Sequence, residues 1–458
     1  MEQVKENKMG TAPVLGLIAS MSVPAMFSML VQALYNVVDS FFVAQISESA
    51  LTAVSLVFPV QNLMIAVGVG TAVGVNSLIS RRLGEKRREE ADSAATHAVL
   101  LGIFNWVIFA LFGLIFPQWF FKLFNSTPAV TQMGIDYLSI VTVFSFGMFV
   151  EINLEKTLQA TGNMIFPMIF QLTGALTNII LDPIFIFGLL GAPRLEVAGA
   201  AIATVAGQIL SMILALIVVL FGRHEVEVKL KGFRFDWATV KNIYAVGFPS
   251  IIMQSIGSVM TMGMNAILIA FSETAVALFG VYFKLQSFVF MPVFGLNQGL
   301  MPIVGYNFGA RKKHRLLAAI KYGCVIALVI MAIGVVLFWT IPGALLGIFN
   351  ASEQMLEIGI PALRTISLCF LPAALGIVFS TAFQATGHGF YSMLISLLRQ
   401  LIVLLPAAFL LAKISLAAVW YAFPIAEVFS LAASIILYLR LYRNTLRTLD
   451  TRPASEIN

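Results

Sequence analysis

The sequence predicts an all-α membrane protein: twelve transmembrane helices in two six-helix lobes related by an axis along the membrane normal. Three observations predict it. The first is composition. Of 458 residues, 59% are hydrophobic and 11% charged, where a soluble domain carries about 25% charged residues; mean hydropathy is +0.94. The second is a series of twelve apolar runs bounded by charge, Gly or Pro, each long enough to cross roughly 30 Å of hydrocarbon. The third is an internal repeat at a constant offset of 225 positions. Pro24 recurs as Pro249, Ser47-Glu48 as Ser272-Glu273, Gln61 as Gln286, Gly70 as Gly295 and Gly84 as Gly309. Phe124-Asn125 recurs as Phe349-Asn350, Gly134 as Gly359, and Gln159-Ala160-Thr161-Gly162 as Gln384-Ala385-Thr386-Gly387. Each copy holds six spans, an even number. Both copies therefore enter the membrane from one side, and rotation relates them.

The spans are expected at 13–46, 51–80, 92–119, 130–158, 163–190, 195–222, 237–271, 275–306, 315–342, 354–383, 389–412 and 415–440. Residues 1–222 form the N-terminal lobe, 223–236 a linker, 237–445 the C-terminal lobe and 446–458 a tail. Lys and Arg cluster at 81–88, 223–241, 311–315 and 440–452, whereas the opposite loops hold little beyond Lys122, Arg194 and Lys413. Positive loops stay inside, so the linker, the tail and both termini are expected in the cytoplasm of a bacterial inner membrane. The net charge of +6 lies in these loops and reports orientation, so no nucleic-acid partner is expected. The N-terminus reads as a first span and not as a cleaved signal, because its apolar run is too long for one. The two cysteines, Cys324 and Cys369, sit in apolar runs, and no metal cluster, cofactor motif or catalytic motif is found.

The first span carries the most informative pattern. Gln32, Tyr35, Asn36 and Asp39 fall at i, i+3, i+4 and i+7 and share one face. A charged Asp at the centre of a membrane helix costs roughly 2.5–3.5 kcal/mol and is tolerated facing other helices or water. Pro24, on the same helix, removes one backbone hydrogen bond and makes a hinge. On the fifth span Asn178 and Asp182 are i and i+4, with Gln171 on the same face below. Asp39 and Asp182 agree in depth. Two carboxylates facing one pocket cannot both stay charged cheaply, so the pair suits a proton or a hard cation such as Na⁺.

With LYNVVDSFFVA, NIILDPIFIFG, GVYFKLQSFVFMP and the paired QATG turns in place, the chain from Pro13 to about Leu441 resembles the multidrug and toxic compound extrusion (MATE) family, within it the bacterial MepA-like exporters. The resemblance implies a V of two lobes around a central cleft. It implies a monomer in the lipid bilayer that exports amphipathic, often cationic, small molecules in exchange for H⁺ or Na⁺, with no cofactor. Pro24 and Asp39 match the family's bending first helix and essential acid; Asn178 and Asp182 match its Asn-x-x-x-Asp-Pro pattern. Thr204 is the nearest match to its sixth-helix Thr. The carboxylates that one branch of the family carries on the seventh and tenth helices are absent here.

The remaining polar positions are assigned more plainly. Glu151 and Glu155, beside Lys156 at the inner end of the fourth span, are expected to cap and pair at an inner gate. Arg399 and Glu427 count to a similar depth from opposite faces, which predicts an ion pair. Lys284 has no partner in sequence. Gln32, Gln171, Gln254, Met260, Lys284, Gln286, Arg399 and Glu427 are the candidate cleft residues, Met for its adaptability. The alternative function is a flippase for a lipid-linked or anionic amphipath, for which Lys284, Arg364 and Arg399 would supply positive charge.

Overall fold

A computed structural model of the chain describes residues 6–123, 127–229 and 231–450, with the side chains of Ser40, Ala44 and Glu48 excepted. The repeat pair member Phe124-Asn125 and the tail from 451 onward lie outside the described residues. Ten helices are long and apolar enough to cross a membrane, and two bent helix pairs bring the number of spans to twelve among the described residues. The first span is one continuous helix, Val14–Ala44, through Pro24.

The expected fourth and tenth spans are broken. Pro128–Val143 and Phe146–Ala160 meet at 42°, Glu353–Ser367 and Phe370–Ala385 at 46°. Hydroxyls explain the breaks, because a Ser or Thr that bonds back into its own helix competes with the backbone ladder. Ser145 Oγ donates to the Thr142 carbonyl at 2.7 Å, and Ser367 Oγ donates to the Arg364 carbonyl at 2.9 Å. An indole from the preceding span steadies each break. Trp106 Nε1 donates to the Val143 carbonyl at 2.8 Å, and Trp339 Nε1 to Ser367 Oγ at 3.1 Å. The eleventh span widens to a π-helix at Leu398–Leu404, directly before Pro406. Proline cannot donate and its ring crowds the turn before it, so a wide turn accommodates both.

The chain divides into two compact units. One, here the first unit, comprises Phe27–Arg82 and Arg87–Ile251; the second takes the chain up to Met26, Leu83–Lys86 and everything from Ile252. The expected lobe boundary at the linker is thus displaced in both repeats. The opening segment of the first span belongs with the second repeat, and that of the seventh with the first. The two switch points, after Met26 and after Ile251, are themselves 225 positions apart.

Glycine spacing dictates this exchange. Gly70 and Gly74 on the second span abut Ile251 and Ile243 of the seventh, and a Cβ on either glycine would collide with that backbone. Their repeat equivalents, Gly295 and Gly299 on the eighth span, abut Met26 and Ser22 of the first in the same manner. Small-x-x-x-small spacing lets membrane helices touch backbone to backbone. Ser22 Oγ then reaches the Leu296 carbonyl at 3.3 Å.

The stretch expected as a plain linker is pinned to the third span. Buried Asp92 accepts from the Glu227 N–H at 2.8 Å and from Lys229 Nζ at 2.7 Å. The Lys229 N–H donates to Thr96 Oγ1 at 3.0 Å, and the Asp236 N–H to His97 Nε2 at 2.9 Å. Asp92 holds the Lys229 ammonium above its ordinary range. Asp236 caps the seventh span: it accepts from the Thr239 hydroxyl at 2.6 Å and N–H at 2.9 Å and from the Ala238 N–H at 3.0 Å, which hold its carboxyl below the usual range. That cap is fully present above the ordinary carboxylate range and fades as pH falls through the lowered value. For Asp92→Asn, amide exchange at Glu227 and Lys229 is expected to rise while the spans keep their protection. Unchanged exchange at those two amides, read by mass spectrometry, would mean that the segment is held by other contacts.

Candidate functional site

The first unit gathers the acids of the first and fifth spans. Asp182 is fully buried and Asn178 nearly so. The Asn178 amide is assigned from its partners. Its Nδ2 donates to Asp182 Oδ2 at 2.8 Å, while its oxygen accepts from the Thr204 N–H at 3.0 Å and hydroxyl at 3.1 Å. Thr204 therefore orients the amide so that a donor, not an acceptor, faces the carboxylate. Asp39 comes in from the first span to within hydrogen-bonding reach of Asp182. Tyr35, one turn before Asp39, lies within reach of Thr204.

The Asp39–Asp182 contact brings together two groups that are acceptors when ionised. Asp39 Oδ1 is buried with no hydrogen-bond partner. Two carboxylates in this position repel each other, and an unpaired buried acceptor adds its own desolvation cost. One proton between them, or one small cation, removes both penalties. A cavity of about 240 Å³ lined by Asp39, Val43, Leu51, Val54, Ser55 and Phe58 opens beside the carboxyl between the first and second spans.

Sequence reasoning missed two neighbours. Gln61 Nε2 donates to the Tyr137 hydroxyl at 3.1 Å, and Tyr137 feels the charges of Asp39 and Asp182 and lies close to Tyr35. Gln61 had a signal, its recurrence in the repeat. Tyr137 had none in a single sequence, since its role depends on the packing of the fourth span.

Other expected members lie elsewhere. Gln32 and Asn36 are exposed, so only half of the first-span stripe turns inward. Gln171 does not continue the Asn178–Asp182 face. Its Nε2 donates to Glu155 Oε2 at 2.9 Å instead, a charge-assisted bond that outweighs an amide contact along its own helix. Glu155 Oε1 also accepts from Lys156 Nζ at 2.9 Å and Gln159 Nε2 at 2.7 Å. Glu151, expected to pair at the same gate, has no such cation; its Oε1 is unpartnered.

In the second unit, Arg399 Nη1 stands 3.6 Å from Glu427 Oε1. Arg399 is carried by the π-helical turn, and Glu427 lies against Gly376, the repeat equivalent of Glu151. Lys284, unassigned in sequence, is exposed with its ammonium 5.8 Å from the Phe349 ring centroid, a cation–π contact. Gln254 is exposed, Met260 buried, and Gln286 keeps a buried unpartnered Oε1.

Comparison with known proteins bears on this arrangement. The MatE family model matches residues 24–184 and 249–410, two blocks that begin one repeat apart. The multidrug export protein MepA of Staphylococcus aureus is 27% identical over 446 residues, 95% of this chain and 96% of that one. An FAD transporter of Shewanella oneidensis is 26% identical over 401 residues, 87% of this chain and 88% of that one. A solved outward-facing multidrug resistance MATE transporter of the MOP superfamily superposes with a TM-score of 0.91 at 26% identity, over 99% of this chain and 100% of that one. A MOP superfamily transporter from Pyrococcus furiosus, whose description is of a binding pocket of reversed polarity, gives 0.90 at 26% identity, over 99% of this chain and 100% of that one.

The Arg399–Glu427 pair yields a stability prediction. Arg399→Ala strands a buried carboxylate. Stranding one costs about 3–5 kcal/mol at full burial, and less here because Arg399 keeps 32% of its side chain exposed. Thermal unfolding in detergent should therefore move clearly down in Arg399→Ala and recover in Arg399→Met/Glu427→Leu. A single variant as stable as the parent would mean that Glu427 has no need of Arg399.

Proposed function

The chain belongs to the MatE family of multi-pass membrane transporters of the multidrug efflux type, and on that premise we propose that it is a secondary-active antiporter. It exports amphipathic cationic molecules from the cytoplasm across the bacterial inner membrane, with both termini cytoplasmic, in exchange for an inward-moving cation. The observation that carries the reading is the Asp39–Asp182 contact, two acceptors in reach of each other with Asp39 Oδ1 unpartnered. The geometry favours a proton over sodium. Asn178 turns its amide oxygen to Thr204 and its nitrogen to Asp182, which leaves carboxyl oxygens with few companions for a metal ion. Asn178 and Thr204 then position Asp182; Tyr35 supplies a hydroxyl at Thr204, and exposed Asn36 meets the ion on its way.

Pro24 acts as the hinge in this reading. The switch from the second unit to the first falls two residues beyond it, after Met26. Pro24→Ala restores one backbone hydrogen bond. Turnover is expected to fall while dye binding persists; unchanged turnover would leave Pro24 a tolerated irregularity.

A substrate bearing an anionic group is the second reading, and Arg399 favours it. Its half-buried guanidinium meets Glu427 at 3.6 Å and retains further donors. Lys284, Gln254, Gln286, Met260 and exposed Gln32 are the other cleft candidates.

Linkage tests the ion site. A proton at the Asp39–Asp182 pair removes the negative charge that attracts a lipophilic cation, and each ligand must weaken the other by one common factor, roughly 5–150-fold. Binding of a cationic dye to the detergent-solubilised protein should weaken as pH falls at constant ionic strength, and Asp39→Asn should flatten that dependence. Weakening by Na⁺ at fixed pH would transfer the role to sodium; indifference to both ions would remove the substrate from this site.

A further inference from the structure

A second buried acid in the first unit has no assigned work. Glu151 lies one helical turn before Glu155 on the fourth span, on the same face. It is 9% exposed, and its Oε1 has no hydrogen-bond partner. Gln171 Oε1, from the fifth span, is buried and unpartnered too. The charged groups that face Glu151 are Glu155 and Lys156; the sixth span brings Ser211. Two carboxyls thus share one ammonium, and that ammonium is bound to Glu155 at 2.9 Å.

Donor counting shows what is missing. Gln171 and Gln159 spend Nε2 donors on Glu155, at 2.9 and 2.7 Å. Lys156 Nζ donates to Glu155 and to Gln159 Oε1, at 2.9 and 2.8 Å. Ser211 has one hydroxyl hydrogen, and it is directed to the Phe170 carbonyl at 2.8 Å. With its hydrogen so placed Ser211 can only accept from Glu151, and turning that hydrogen to an ionised Glu151 would give up the Phe170 bond. An ionised Glu151 would face that oxygen as acceptor against acceptor, with no cation of its own, inside a helix bundle. A protonated Glu151 donates to Ser211, which donates to Phe170, and the chain of bonds closes.

We propose that Glu151 is a proton-binding residue, and that the first unit carries a second protonatable site distinct from Asp39–Asp182. Along the fifth span, Gln171 and Asp182 are eleven residues apart, roughly 16 Å at 1.5 Å per residue. The two sites therefore lie in series along one helix, the second toward the Ala160 end of the fourth span. The unpartnered oxygens of these residues are two, Glu151 Oε1 and Gln171 Oε1, and an ammonium lies among them on Glu155, which suits a proton and disfavours a metal ion. The inference goes beyond the ion site proposed above and does not depend on it.

Infrared difference spectroscopy tests it without a transport assay. In an Asp39→Asn/Asp182→Asn protein, the C=O stretch of a protonated carboxylic acid is expected to persist at neutral pH, to be lost as pH rises, and to vanish when Glu151→Gln is added. If the triple variant does not insert, isotopic labelling of glutamate carboxyls in the parent protein should shift such a band, and Ser211→Ala should move it as its acceptor is lost. Absence of a protonated-glutamate band, a band that survives Glu151→Gln, or a band displaced by Na⁺ at fixed pH would each overturn the proposal. A band that behaves as expected in a protein whose dye binding ignores pH would uphold this site while rejecting proton coupling at Asp39.

Discussion

An acid inside a membrane bundle must have its charge answered, and this requirement orders the first unit. Asp39, Glu151, Glu155 and Asp182 are four of the carboxyls in its helices, with Lys156 beside Glu155. Lys156 answers Glu155 at 2.9 Å. Asp39 and Asp182 answer each other only if something positive lies between them. The low dielectric of the bundle makes each unmet charge expensive. On the function proposed above, such groups are kept in place because a cation binds between them. In that proposal, binding is coupled to how closely the first and fifth spans approach, because separating them removes the shared site.

The second repeat shows the same scaffold with this chemistry removed. At the offset of 225, Asp39 becomes Met264, Tyr35 becomes Met260 and Glu155 becomes Ser380. Glu151 becomes Gly376, and the space a side chain would occupy there holds Glu427 from the twelfth span, matched with Arg399. One unit keeps its acids in excess and the other balances its acid internally. The pseudo-symmetry of the helices is thus not a symmetry of chemistry, and the cation binding proposed above falls to the first unit.

Much of the fold was legible because apolar length, loop charge and a fixed repeat are properties of the chain read in order. Twelve spans and the pairing of Arg399 with Glu427 follow from such counting. The breaks at Ser145 and Ser367 did not, since each depends on a Trp of the neighbouring span that donates to the break. Gln171 was misplaced for a related reason. Helical spacing put it below Asn178, but its amide reaches across to the charge on Glu155. The excess of Glu151 was visible as a count of two acids against one lysine; which acid the lysine chose required the packed structure.

The exchange of helix segments completes the argument. Gly295 and Gly299 hold the first span up to Met26 against the eighth span, while from Phe27 onward the same helix belongs with Asp182. A single covalent rod therefore has its opening segment fixed in one unit and its carboxylate in the other. Residues Phe27 to Asp39 cover roughly 18 Å of helix, and Pro24 lies at the base of that length, where one backbone bond is missing. In the proposed mechanism, drawing Asp39 toward Asp182, or releasing it, acts on a lever whose pivot is weakened beside the point where the helix passes from one unit to the other. An unweakened helix would transmit the same pull into the Ser22–Gly299 contact, which close backbone packing makes resistant to small shifts. On that proposal the proline confines the change to the segment that carries the acid, and the close packing at Ser22 and Gly299 is kept.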